Sequence, residues 1–143
     1  MPYQIIYSSE SATPMQEGEL EEILEQARSS NAKMGIAGAL IYVDGVFLQV
    51  LEGEMQAVQD LMAKIAKDFR HETVTVLRQG PIERAAFSGW DMAYVSATPK
   101  QVAEWAGLSV TTAIPEVLDD MRHDARRAAQ VTESILALLE RRP

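Results

Sequence analysis

Residues 41–53, IYVDGVFLQVLEG, constrain the fold of this chain more than any other stretch. Asp44-Gly45 is a strong two-residue turn signal, and apolar runs flank it on both sides. After the turn, Phe47, Gln49 and Leu51 point to one face and Val46, Leu48 and Val50 to the other. Both faces are apolar except for one amide, so the segment reads as a buried hairpin strand. Left unpaired there, each donor or acceptor of Gln49 would cost about 1–3 kcal/mol. The fold must therefore bring a polar partner to Gln49.

Periodicity supplies the surrounding elements. Residues 3–9 read as a strand with Tyr3, Ile5 and Tyr7 on one face. In residues 17–29, Leu20, Ile23, Leu24 and Ala27 follow helical spacing, and Glu17, Glu19, Glu21, Glu22 and Glu25 form a solvated opposite face. The stretch SSNAKMGIAG reads as a loop leading to strands over 36–43 and 46–52. Residues 54–68 form a second amphipathic helix, with Val58, Leu61, Met62 and Ile65 in register. Strands follow over 73–80 and 90–96, the latter with Trp90, Met92 and Tyr94 on a shared face. This is the split βαβ order. The expected class is α+β, a ferredoxin-like βαββαββ sheet with two helices on one face. Residues 1–97 form that unit. Residues 98–143 form a helical extension of the same compact body, a short helix and then a longer one over 115–140. The stripe of the longer helix (Val117, Met121, Ala125, Ala128, Ile135) must cover the sheet's free face, a second copy or a partner.

The 143 residues are 47% hydrophobic, enough for one domain with a real core. A formal charge of −8 repels phosphate backbones and argues against free nucleic acid as a partner. The absence of Cys excludes disulfides, thiolate nucleophiles and Cys-based metal sites, and two separated histidines do not suggest a metal centre. The start lacks a signal-peptide pattern and no apolar run is long enough to span a membrane, so a soluble cytoplasmic protein is expected. Gly-rich phosphate loops, GxSxG and HExxH are missing.

The remaining candidates are modest one by one. Asp44 and Glu52 stand at strand ends, where turn chemistry and solvation account for them. The first and third strands are neighbours in the split βαβ order, so Tyr7 and Gln49 meet if they share a face. A phenol bonded to an amide in a core is more often a structural pair than a site. Asn31 serves to terminate the first helix. Arg70 and His71 suit the C-terminal dipole of the second helix, and Trp90 and Met92 suit the core.

Taken together, the ordered motifs are more specific. Tyr7 on the first strand, NAKMGIAG, GVFLQVLEG, KDFRH and PIERAAFSGWDM occur in sequence over residues 3–96. They resemble the BLUF family of blue-light sensors that use a flavin. The chain departs from the family pattern at Ser30 (often Asn), Ala37 (usually Thr), Phe69 (usually Pro) and Ser8-Ser9 (where Arg is common).

The resemblance implies a sensor rather than an enzyme. It places a non-covalent flavin (FAD, or else FMN or riboflavin) between the two helices, with Ile23 and Ile65 on either side of the ring. Asn31 would bond its polar edge, and Arg70 with His71 would lie toward the phosphate end. Gln49 would sit between Tyr7 and the ring. Light-driven electron and proton transfer from Tyr7 would rearrange the hydrogen bonds of Gln49, whose amide has both a donor and an acceptor end. Trp90 and Met92 would exchange places near Gln49, and the signal would leave through the fifth strand and the C-terminal helices. The chain carries no effector domain, so output is expected through self-association in a homo-oligomer or through a separate protein. A cyclic-dinucleotide phosphodiesterase or a response-regulator-like protein is the kind of partner implied. The rival readings are a light-independent ferredoxin-like module that binds a metabolite or protein, and an acylphosphatase-like hydrolase.

Overall fold

The computed structural model describes residues 2–11, 17–67 and 71–140. The elements are β1 (Tyr3–Ser11), α1 (Glu17–Met34), β2 (Ala37–Val43), β3 (Val46–Gly53), α2 (Met55–Lys67), β4 (His71–Pro81), β5 (Ala93–Ser96), α3 (Pro99–Trp105), α4 (Ile114–His123) and α5 (Ala125–Glu140). The strands form one sheet in the order β4-β1-β3-β2-β5. The first four strands pair antiparallel, and β5 adds parallel to β2. This is the expected ferredoxin-like α+β arrangement with a fifth strand.

The hairpin behaves as its turn demands. Asp44 and Gly45 both take positive φ, 51° and 77°, the type I′ requirement. That turn sets the β2–β3 register, with Val43 opposite Val46 and Leu40 opposite Gln49. Gly38 is required by close approach, because a Cβ there would meet the Val50 carbonyl oxygen at 2.1 Å.

Strand alternation divides the core into two layers. On one face Ile5, Tyr7, Leu40, Phe47 and Leu51 pack with Leu24 of α1 and with Val58 and Met62 of α2. On the other face Ile6, Ala39, Ile41, Leu48 and Val50 pack with Val102, Val117, Met121, Val131 and Ile135 of the C-terminal helices. Of the three surfaces open to the tail, it takes the sheet's free face. Fully burying such side chains contributes about 1.5–3 kcal/mol each.

Three local expectations are corrected. The stretch after residue 29 is helical rather than a loop, because α1 continues to Met34. Nothing before Gly35 breaks the helix. Gly35, at φ 67°, takes the left-handed position after it, and Ile36 N–H bonds back to the Asn31 carbonyl at 2.9 Å. Asn31 thus lies in the last turn and does not terminate the helix. The long tail helix is two helices, parted at Asp124, whose backbone is extended (φ −134°, ψ 106°). Its carboxylate accepts the Arg126 N–H at 3.0 Å, which gives α5 its own start.

The third correction concerns the end of the sheet. β5 begins at Ala93, so Trp90 and Met92 precede it and do not share a strand face with Tyr94. Trp90 N–H bonds to Phe87 O at 2.9 Å in a turn, and Gly89 takes φ 91°. These bends turn Trp90 outward, 36% exposed, while Met92 is buried. Trp90 is therefore not a core residue.

No helix among the described residues is long and apolar enough to cross a membrane.

Candidate functional site

The β1–β3 register places Tyr7 and Gln49 directly opposite each other. Both side chains point to the face that carries α1 and α2. There the two helices leave a cleft that opens to solvent. Its floor is made by Tyr7, Leu40, Phe47 and Gln49, and its walls by Ile23 and Ala27 of α1 and Leu61 and Ile65 of α2.

The polar groups sit where an apolar floor needs them least for packing. The Tyr7 hydroxyl donates to Gln49 Oε1. The other end of the same amide, Nε2, donates to Met92 Sδ at 3.5 Å. The Gln49 side chain is 6% exposed, so both of its ends depend on these partners. Asn31, on the α1 wall, donates from Nδ2 to the Asp91 carbonyl at 2.7 Å. One turn earlier, Arg28 Nε donates to the Met92 carbonyl at 2.9 Å. Two α1 side chains thus hold the backbone of the segment that delivers Met92 to the cleft. Nearby, burial pushes the Tyr94 phenol up from its ordinary value, against a lowering hydrogen bond from Ser96.

Tyr7, Ile23, Asn31, Gln49 and Ile65, separate in sequence, line this one cleft. Met92 reaches it through Gln49, and Trp90, 36% exposed, does not line it. Arg70 lies outside the described residues. His71 opens β4, but its side chain lies outside them too. Sequence reasoning missed Gln26 and Lys64 at the rim and Leu40 and Phe47 on the floor. The signal was present for two of them. Gln26 follows Ile23 by one helical turn, and Lys64 follows Leu61 by one.

Glu52 is a further correction. Read as a solvated strand end, it is fully buried, at 0% exposure. Asp44 does behave as an exposed turn residue.

A flat aromatic ring with a polar edge fits this cleft. Apolar helix walls would cover its two faces, and the Gln49 and Asn31 amides would meet the edge. Lys64 offers a cation at the rim.

The family model described as BLUF, sensors of blue light using FAD, matches residues 3–93. A photoactivated adenylate cyclase subunit beta from Euglena longa is 35% identical over 105 residues, 73% of this chain. The chain spans about 12% of the length of that relative. Among solved structures, BlsA in a photo-activated state matches with a TM-score of 0.79 at 27% identity, over 95% of each chain. BlrB, a BLUF protein in its dark state, matches with a TM-score of 0.74 at 25% identity, over 95% of this chain and 96% of that one. With more than half of its length matched by the family model, this chain belongs to the BLUF family of flavin-using blue-light sensors.

Proposed function

We propose that the α1–α2 cleft holds FAD and that the light signal is a change in the hydrogen bonding of Gln49. The observation that carries this reading is the Gln49 amide itself, set between the Tyr7 hydroxyl and the Met92 sulfur at the cleft floor. The flavin, when bound, supplies the absorption of blue light and an electron acceptor. The chain's own residues do the rest.

Tyr7 is the electron and proton donor, because its phenol stands in the floor with its proton already directed at Gln49. Gln49 is the switch. A carboxamide presents a donor at one end and an acceptor at the other, so turning it exchanges what its neighbours receive. In the resting arrangement its acceptor end faces Tyr7 and its donor end faces Met92. After the exchange, the Met92 thioether loses the donor that holds it.

Ile23 and Ile65 clamp the ring between the helices and exclude water. With Asn31 Nδ2 committed to Asp91, the Asn31 amide oxygen serves to accept from a ring N–H. Lys64 and Arg70, with His71, serve the phosphate end, where cations are needed despite the acidic surface.

The output path follows the packing. Met92 leads directly into β5, whose Ala93 and Val95 pack in the layer shared with Val102, Ala103 and Val131. A shift of the 90–92 segment, with Trp90 and Met92 changing places, would displace residues 98–143, which act as the output and self-association unit. The effector is a separate protein of nucleotide signalling. The name of the Euglena relative links a photoactivated subunit to an adenylate cyclase, and we extend that logic to an effector that acts on nucleotides.

The test is direct. The purified protein is yellow, yields FAD on extraction, and shows flavin bands that shift red under blue light and recover in the dark. A colourless protein that takes up no flavin on reconstitution would refute the reading. Size-exclusion chromatography in dark and light then tests output through self-association.

A further inference from the structure

We infer that Glu52 is a positioning residue that latches the segment before β5 and thereby sets the lifetime of the light-induced state. The inference rests on the photoreceptor reading above. Its observation is separate, a buried carboxylate that the cleft chemistry does not use. Glu52 lies three residues beyond Gln49 on β3, so alternation turns it to the opposite face of the sheet, away from the cleft. It cannot touch a ligand bound there.

Its partners show what it does instead. Oε1 accepts the Phe87 N–H at 2.8 Å, and Oε2 accepts the Ala86 N–H at 3.1 Å. Gln4 Nε2, from the neighbouring strand, donates to Oε2 at 2.9 Å. A carboxylate with no exposure is stable only where several donors converge on it, and it is a stronger acceptor than any neutral group. All three of these donors are uncharged. An amide or hydroxyl could not serve both backbone N–H groups with two oxygens.

The segment so held is the one that carries Trp90 and Met92. Between Ala86 and Ala93 the chain has no strand ladder. It hangs on Glu52 at its start and, further on, on Gly38 N–H to Trp90 O at 3.0 Å. Asn31 and Arg28 hold Asp91 and Met92. Glu52 is the anchor supplied by the strand of Gln49 itself. One strand therefore contacts the two ends of the segment, at Phe87 through Glu52 and at Met92 through Gln49. When Gln49 releases Met92, the Glu52 latch keeps the start of the segment in place, so that Met92 returns to the same seat.

Glu52→Gln tests this, with the parent protein run alongside. The carboxamide keeps one acceptor oxygen where two are used, so one backbone N–H loses its partner. The expected result is normal flavin content and dark absorption with dark recovery slowed by about tenfold or more, the scale set by one charge-assisted hydrogen bond. A purely structural role would lower the melting temperature but leave recovery at the parent rate, and that result overturns the inference. If the parent itself shows no red shift, the photoreceptor reading fails instead, and the two failures are distinct. Should Glu52→Gln not fold, amide exchange in the parent protein decides. In the dark, Ala86 and Phe87 should exchange at least about a hundredfold more slowly than Ser88. Exchange as fast as at Ser88 overturns the latch.

Discussion

Replacing Tyr7 by Phe removes one oxygen and keeps everything else. The Tyr7 ring is completely buried and packs with Ile5, Leu40, Phe47 and Leu51, contacts that phenylalanine preserves. No cavity of consequence opens. What is lost is the donor to Gln49 Oε1. The Gln49 side chain is only 6% exposed, so water does not readily replace that donor. A buried acceptor deprived of its donor costs about 1–3 kcal/mol. At about 2–4 °C per kcal/mol for a domain of this size, the flavin-free protein should melt roughly 2–12 °C lower. Flavin uptake should persist, because the walls and the other polar groups are untouched, but the red-shifted state should vanish. Thermal melts of the flavin-free protein and light-minus-dark absorbance of the loaded protein read the two effects. A Tyr7→Phe protein with a normal light-induced shift would refute the assignment of Tyr7 as donor. An unchanged melting temperature would refute the energetic role of the Tyr7–Gln49 bond.

Other perturbations separate the remaining claims. Met92→Ala should cost about 2–5 kcal/mol, since Met92 is buried. Trp90→Ala should leave stability and flavin content near the parent and change the lifetime or output of the lit state. Equal destabilisation by the two in denaturant titrations would contradict the inward and outward placement of these residues. Ile135→Ala, on α5, should lower stability by about 2–5 kcal/mol in one cooperative transition. Two separate transitions would show that residues 98–143 unfold independently of the sheet. Asp124 is held below its ordinary value of 3.8, first by the backbone N–H of Arg126 and further by the charges of Arg126 and Arg127. Its folded value is the lower one, so its contribution is complete above that ordinary value and is lost as pH falls through the folded value. Asp124→Asn should flatten the acid limb of the stability profile, and an acid limb identical to the parent's would exclude this contribution.

Much of this protein is local and therefore legible in its sequence. Asp44-Gly45 dictates a type I′ turn, the turn dictates the β2–β3 register, and the register decides which way Gln49 points. The split βαβ order makes β1 the neighbour of β3, so Tyr7 and Gln49 could meet if they shared a face, and the β1–β3 register of the structure sets them opposite each other. Helical spacing showed Ile23 and Ile65 as members of the apolar helix stripes, and the resemblance to the family implied that they flank the ring. Local pattern failed where a residue's role depends on contacts from distant segments. Trp90 and Met92 look equally apolar and alternate like strand residues. Which of them is buried was decided by Gly38 of β2 and by Arg28 and Asn31 of α1, more than fifty residues away in the chain. Glu52 looks like a solvated strand end until Gln4, Ala86 and Phe87 converge on it. The tail's apolar stripe announced that it must be covered. Only the packed structure showed the cover to be the sheet's second face, because periodicity reveals which side of a helix is apolar and carries no information about what lies against it.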